Sequence, residues 1–279
     1  FQFRDLNNPK EELIKKLQGK VPDELIKKVT SRWRRQGSAI LLRIPEKYRR
    51  YYREVASSFI DVFSGVDLVI NDRGVRGDLR TPDVEVLAGE RHDIVLKENN
   101  CIFIFDPTLI MFSHSNKYEK MRVAREVSKD EKILDMFAGI GYFTIPIAYH
   151  SDAEVTAVEL NPIAVRYLKK NIRINKVEEK VKVMEGDCKV VSPEDYADRV
   201  IMGYLKKTYE FLPKALSSLR GKGKIYYHEA IKNSMLEMAK RRIVEIVEKE
   251  GYKCRLVSER VVKSYAPNVS HMVFDIEVK

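Results

Sequence analysis

The chain has 279 residues, 44% of them hydrophobic, enough for a full-size α/β domain and a smaller companion. No apolar run approaches the length that spans a bilayer, and no charged-then-apolar signal segment opens the chain. Cys101, Cys188 and Cys254 are isolated and odd in number, with neither metal-ligand nor disulfide spacing, which argues for a reducing cytoplasmic setting and no bound metal.

The net charge of +10 is unevenly spread. Residues 1–60 carry 15 Lys+Arg against 7 Asp+Glu, and residues 61–279 carry 36 against 34. A basic N-terminal part suits a polyanionic partner, most commonly nucleic acid. A solvated basic face with no partner is the alternative. One-third of the residues are charged, a composition that suits a thermophile. The chain opens on Phe1 rather than Met, so a short preceding piece is expected.

Residues 10–35 read as helical, in two amphipathic pieces divided by Pro22. The second piece runs into Ser31-Arg-Trp-Arg-Arg, with the chain's single Trp. Trp33 either stacks on a base or anchors a small core. Residues 39–44 read as a strand ended by Pro45. Residues 48–63 read as a helix whose start interleaves Tyr48, Arg49, Arg50, Tyr51, Tyr52 and Arg53. That pattern can hold phosphates and riboses, or the tyrosines can pack down onto a sheet. Short strands are expected at 67–70, 84–87, 93–96 and 101–105. Residues 1–107 therefore read as a small basic α+β domain, and 108–279 as a second domain. The second domain starts with a loop at 112–116 and a connecting helix at 117–127 that carries Tyr118, Arg122 and Arg125.

The second domain is organised around Ile133-Leu-Asp-Met-Phe-Ala-Gly-Ile-Gly-Tyr. Ile133 and Leu134 read as a buried strand with Asp135 at its carboxyl end. Residues 138–141 make a glycine turn, and a helix follows from Tyr142. The next strand, 154–159, ends on Glu159, twenty residues past Gly139. An acid at that offset can accept hydrogen bonds from both ribose hydroxyls of an adenosine. Asn161 and Pro162 form a helix start, and Val165, Leu168 and Ile172 mark that helix's apolar face. The third strand ends in Gly186-Asp187, and Asp187 can accept from an adenine amino group. Three such ends in one β/α alternation point to a cofactor containing adenosine. The alternative makes Glu159 and Asp187 ordinary strand-end acids.

Further elements are expected as a strand at 198–202, a helix at 208–219 kinked at Pro213, a strand at 223–228 and a long helix at 233–251. A hairpin of 254–265 and 271–278 closes the chain. Alternation ending in a hairpin predicts an α/β, Rossmann-type sheet of the class I methyltransferase kind.

Asp135-Met-Phe-Ala-Gly-Ile-Gly, Glu159-Leu-Asn-Pro and Gly186-Asp187 resemble the S-adenosylmethionine site of RNA-modifying class I enzymes. Arg80-Thr-Pro-Asp-Val-Glu-Val-Leu-Ala-Gly-Glu, Asp106, Phe112-Ser113, and Val262-Lys-Ser-Tyr-Ala-Pro with His271 resemble one group among them. This group acts on the guanosine just 3′ of the anticodon. It includes the tRNA guanine-N1 methyltransferase and the 3-amino-3-carboxypropyl transferase of wybutosine synthesis. The resemblance covers roughly residues 35–279. Two departures separate the relatives. Gly203-Tyr204-Leu205 stands where the methyltransferase has Asn-Leu-Pro, and Ser113-His114-Ser115 stands where it has Ser-Pro-Arg. The run Met111-Phe-Ser-His-Ser-Asn-Lys-Tyr-Glu-Lys-Met-Arg is instead similar to the transferase.

The resemblance implies transfer of the aminocarboxypropyl group to 4-demethylwyosine in tRNA-Phe, releasing methylthioadenosine. It implies Arg122 as anchor of the co-substrate's carboxylate, supported by Ser115 and Tyr118; without it, Arg122 reads as a helical arginine pairing with Glu119 or Glu126. Glu159 would hold the ribose. Asp187 and the backbone at Cys188 would hold the adenine, with Phe137 and Gly139 at the turn. No side chain stands out as base, with His114, Tyr204 and His228 left open. Arg32, Arg34, Arg35, Arg49 and Arg50 are the candidate tRNA contacts. Two other readings stand beside this one, the guanine-N1 methyltransferase and a non-catalytic RNA-binding module with a degenerate pocket.

Overall fold

The computed structural model describes residues 8–77, 79–113 and 116–279. The chain divides into two compact units, Phe1–Lys97 with Phe103–Phe112, and Glu98–Ile102 with Ser113–Lys279.

In the first unit, α1 (Pro9–Leu17) begins where the Asn8 side chain accepts a hydrogen bond from Lys10 N at 3.1 Å. α2 (Asp23–Ser31) starts after Pro22. Leu13, Leu17, Leu25 and Val29 are spaced on one face of these helices and are buried in a shared core. The chain then forms β1 (Trp33–Gln36) and β2 (Ala39–Leu42), a hairpin turned at Gly37 with φ +56°. Residues 33–35 therefore do not extend the second helix as the sequence suggested. Arg and Gln are acceptable in a helix, but pairing with the fully buried β2 outweighs that weak preference.

A 3-10 turn (Glu46–Tyr51) leads into α3 (Tyr52–Val62), then β3 (Leu68–Arg76) and β4 (Thr81–Ala88). The sheet runs β1-β2-β3-β4, with β2 and β3 parallel across the α3 crossover. β5 (Ile94–Glu98) and β6 (Cys101–Phe105) form a separate two-stranded ribbon.

The second unit begins with α4 (Lys117–Glu126). There follow β7 (Lys132–Asp135), α5 (Thr144–His150), β8 (Glu154–Glu159), α6 (Pro162–Ile174) and β9 (Val181–Glu185). The chain continues through α7 (Cys188–Val191), β10 (Ala197–Met202), α8 (Leu212–Ser217), β11 (Leu219–Lys232), α9 (Leu236–Lys249), β12 (Cys254–Ala266) and β13 (Val269–Val278). The sheet order is β12-β13-β11-β10-β7-β8-β9, with β13 antiparallel to its neighbours β11 and β12 and the other pairs parallel. Counted from β7 this is 3-2-1-4-5-7-6 read from the β9 edge, the class I methyltransferase arrangement. Strand order reverses between β7 and β10, and ligands bind beyond the carboxyl ends of strands at such a point.

Pro213 starts α8 rather than kinking a longer helix, because its missing N–H costs nothing in a first turn. A 3-10 turn (Thr208–Phe211) precedes it. Among the described residues no helix is long and apolar enough to cross a membrane.

Candidate active site

The site is built on the turn after β7. Met136 N and Ala138 N donate to Ile201 O and Val158 O, at 3.0 and 2.9 Å, so the turn is tied to both neighbouring strands. Gly141 N closes it onto Ala138 O at 2.8 Å. Gly139 has φ +57°, and a Cβ there would lie 2.4 Å from the Tyr142 ring. Glycine is required at this position both by conformation and by close approach. From α6, buried Asn171 donates to Ile140 O at 3.0 Å and fixes the far side.

Asp135 is fully buried beneath the turn and accepts from Thr144 Oγ1 at 2.8 Å and Phe137 N at 3.3 Å. Burial pushes its pKa up to about 6 against those two bonds. Glu159 ends β8, and its two oxygens accept from Gly139 N at 2.7 Å and Asn161 N at 2.8 Å. Burial also raises its pKa, opposed by the same backbone donors. The carboxylate is thus aimed by the turn and by the start of α6, with lone pairs remaining for two hydroxyls.

Asp187 is exposed and caps the short α7, accepting from Lys189 N at 2.9 Å. Cys188 is buried in the core of the unit, and burial drives its thiol up to about 12, so it offers backbone and not a nucleophile. Phe137 stacks on Tyr204 with centroids 5.1 Å apart and planes 16° apart, and meets Phe211 edge-on at 5.0 Å. The sequence named Phe137 as a site residue and left Tyr204 open as a base. It could not show that β7, β10 and the turn before α8 bring these rings together.

Arg122 lies in a cluster of carboxylates. It donates to Glu119 at 2.6 and 3.0 Å, to Glu126, and to Asp275 at 3.0 and 3.1 Å, and its guanidinium covers the Tyr226 ring at 5.2 Å. These bonds take up all five N–H donors. The structure therefore engages Arg122 with three acids inside the fold. Pairing with Glu119 and Glu126 is the alternative that the sequence allowed; Asp275 is an addition that spacing could not reveal. Tyr118 is 86% exposed on α4. Ser115 and His114 lie outside the described residues.

His228 and His271 are each 1% exposed, with His228 Nδ1 2.9 Å from His271 Nε2. Lys120, from the same helix as Arg122, is buried against Glu98 at 2.7 Å and sits 5.3 Å from the Tyr142 ring centre. No sequence signal marked that pair.

Among the basic residues of the first unit, Arg34 pairs with Asp72, and Arg49 with Glu46 and Glu85 at 2.6 and 2.9 Å. Arg35 donates to two backbone carbonyls, those of Gly37 and Ser64. Arg50 lies over Tyr51 at 4.6 Å, and Arg32 is exposed. Trp33 packs on Phe63 and Phe59 at 4.7 and 6.1 Å, the core role and not base stacking. Tyr48 and Tyr52 are likewise buried.

The TRM5/TYW2 methyltransferase domain family matches residues 94–257, and the TYW2 N-terminal domain family matches residues 13–92. The chain belongs to the TRM5/TYW2 family. It is 35% identical to the tRNA(Phe) (4-demethylwyosine(37)-C(7)) aminocarboxypropyltransferase of Pyrococcus horikoshii, across 94% of both chains. It is 42% identical to the protein of the same name from Methanocaldococcus jannaschii, over 72% of this chain and 81% of that one. The crystal structure of P. horikoshii TYW2 in complex with MeSAdo superposes with a TM-score of 0.86 at 33% identity, covering 96% of this chain and 98% of that one. The β7 turn, Glu159 and Asp187 lie within the matched TRM5/TYW2 methyltransferase domain, at the carboxyl ends of its strands.

Proposed function

We propose that this chain is an S-adenosylmethionine-dependent transferase that moves the 3-amino-3-carboxypropyl group onto 4-demethylwyosine in tRNA-Phe, 3′ of the anticodon. The observation that carries the choice over methyl transfer is Gly203. It follows β10 at the carboxyl end of the sheet, where an Asn side chain would contact the base in the methyltransferase reading. Its φ is ordinary, and a Cβ there would sit 3.5 Å from Phe143 Cε2, an ordinary contact. Glycine is not demanded by the backbone, and the position carries no side chain that could contact the base as the Asn would.

The co-substrate supplies a sulfonium, which makes the attached carbons electrophilic. The chain's part is orientation. Glu159, fixed by Gly139 N and Asn161 N, holds the ribose hydroxyls. Asp187 and Cys188 N receive the adenine, and the Phe137–Tyr204–Phe211 cluster closes an apolar wall. A wall of that kind excludes water and selects which carbon faces the acceptor. Exposed Arg32, Arg35 and Arg50, which carry no ion pair among the described residues, are the proposed tRNA phosphate contacts. Arg34 and Arg49 are already neutralised by acids.

The by-product tests the reading. Reaction with precursor tRNA, followed by chromatography of the nucleosides, is expected to give methylthioadenosine. S-adenosylhomocysteine in its place means methyl transfer.

A further inference from the structure

We propose that His228, backed by His271, is the base that takes the proton from the acceptor carbon of the tRNA. The inference rests on the aminocarboxypropyl-transfer reading and adds a residue that the comparisons do not assign.

Tyr227 pairs with Met202, the last residue of β10, so His228 stands beside Gly203 at the ligand end of the sheet. Its ring meets Phe143 edge-on at 5.2 Å. The same Phe143 lies 3.5 Å from where a Cβ at Gly203 would sit. One imidazole nitrogen, Nδ1, is held by His271 Nε2 at 2.9 Å. The other, Nε2, is buried with no hydrogen-bond partner among the described residues. A buried polar atom left unpaired calls for a reason, and catalysis is one of the recognised ones.

The tautomer follows from the role. With the proton on Nδ1 and donated to His271, Nε2 carries a bare lone pair. Burial, with Arg122 of α4 and Arg260 of β12 adding to it, brings the His228 pKa down to about 3. The ring is thus neutral and ready to accept under any physiological condition. A base this weak suffices, because the proton leaves a carbon of a cationic ring. Those two arginines also disfavour a lasting imidazolium, so the charge must be handed on.

In the step itself, the bond from acceptor carbon to γ-carbon forms as the γ-carbon–sulfur bond breaks. That bond's electron pair stays on sulfur, leaving a neutral thioether and a cationic ring. The C–H electron pair then restores the aromatic ring, and the proton goes to His228 Nε2. The Nδ1 proton passes to His271 Nε2, so one proton enters the pair on one side and moves on along the other.

Two measurements decide it. Nitrogen NMR of the 15N-histidine-labelled protein, without ligand, should show His228 protonated on Nδ1 and bare on Nε2. The reverse tautomer overturns the proposal. In addition, His228→Asn keeps an atom for His271 but removes the Nε2 acceptor. With tRNA deuterated at the acceptor carbon, wild type should show no primary isotope effect, because proton loss is fast. His228→Asn should transfer about a hundredfold more slowly, show a primary isotope effect, and keep its S-adenosylmethionine affinity. A rate within twofold of wild type and no isotope effect overturns the proposal. If that variant does not fold, His271→Gln decides by the same isotope criterion. Failure of wild type to transfer the group at all would instead remove the functional reading beneath it.

Discussion

Arg122 and Asp275, 153 positions apart, share two hydrogen bonds of 3.0 and 3.1 Å that tie α4 to the last strand. Asp275 has only 3% of its side chain exposed and also receives Arg260 at 2.7 Å. Lys224 lies 3.4 Å from it as well, and removing an acid that faces three cations in a buried place leaves uncompensated charge. Asp275→Ala is therefore expected to lower the unfolding free energy by about 3 kcal/mol in urea titration. Arg122→Gln should also lose stability but keep its S-adenosylmethionine dissociation constant within threefold by calorimetry. A loss of affinity beyond tenfold would return Arg122 to the role of carboxylate anchor.

The same cluster sets an acid limit. Burial raises the Glu126 carboxyl, but Lys224 and Arg122 outweigh it and hold the pKa at about 2. Its folded value is depressed, so its stabilisation is present above the unfolded pKa of 4.5 and is lost as pH falls toward 2. Glu126→Gln should flatten the fall in stability over that window and leave stability differences above pH 6 constant.

Asp135 has the opposite sign. Its folded pKa of about 6 lies above the ordinary value of 3.8, so its contribution is most favourable below pH 3.8 and is lost as pH rises through 6. Asp135→Asn keeps an acceptor for Thr144 and removes the buried charge. Relative to wild type it should gain on the order of 2–3 kcal/mol between pH 4 and 7, read from denaturant midpoints. A constant difference across that range would mean that Asp135 does not titrate there.

Glu159→Gln replaces one carboxylate oxygen by an amide that faces a backbone N–H. Affinity for S-adenosylmethionine should fall by about tenfold to a hundredfold, equivalent to about 1.5–3 kcal/mol for a charge-assisted bond. Unchanged affinity would remove Glu159 from the ribose site.

On the basic face, Arg50→Glu should weaken tRNA binding more than Arg49→Ala, because Arg49 is already paired with Glu46 and Glu85. The salt dependence of binding should become shallower for the Arg50 variant, with calorimetric S-adenosylmethionine binding intact. Equal affinity for tRNA in both variants and wild type would exclude this face.

The glycine turn, Glu159, the Asn161–Pro162 helix start and the order of β/α elements were legible because each rests on local chemistry. Positive φ, capping and strand ends are written in neighbouring residues. The β1 strand at Trp33 was not legible, since its reason is a partner strand and not its own propensity. Nor was the full set of partners of Arg122. Its local partners, Glu119 and Glu126, lie at helical spacing, but Asp275 reaches it only through the fold. The stacking of Phe137 on Tyr204 and the meeting of His228 with His271 are likewise products of strand order. Pro213 was read as a kink because sequence alone does not say where a helix begins.

S-adenosylmethionine carrying label in the methyl group or in the carboxyl carbon distinguishes aminocarboxypropyl transfer from methyl transfer in one experiment. Each is incubated with the protein and tRNA bearing 4-demethylwyosine, and label retained in the tRNA is counted. Carboxyl label in the tRNA and no methyl label is the expected result. Methyl label alone would contradict it and make this chain a methyltransferase whose open Gly203 site was misread.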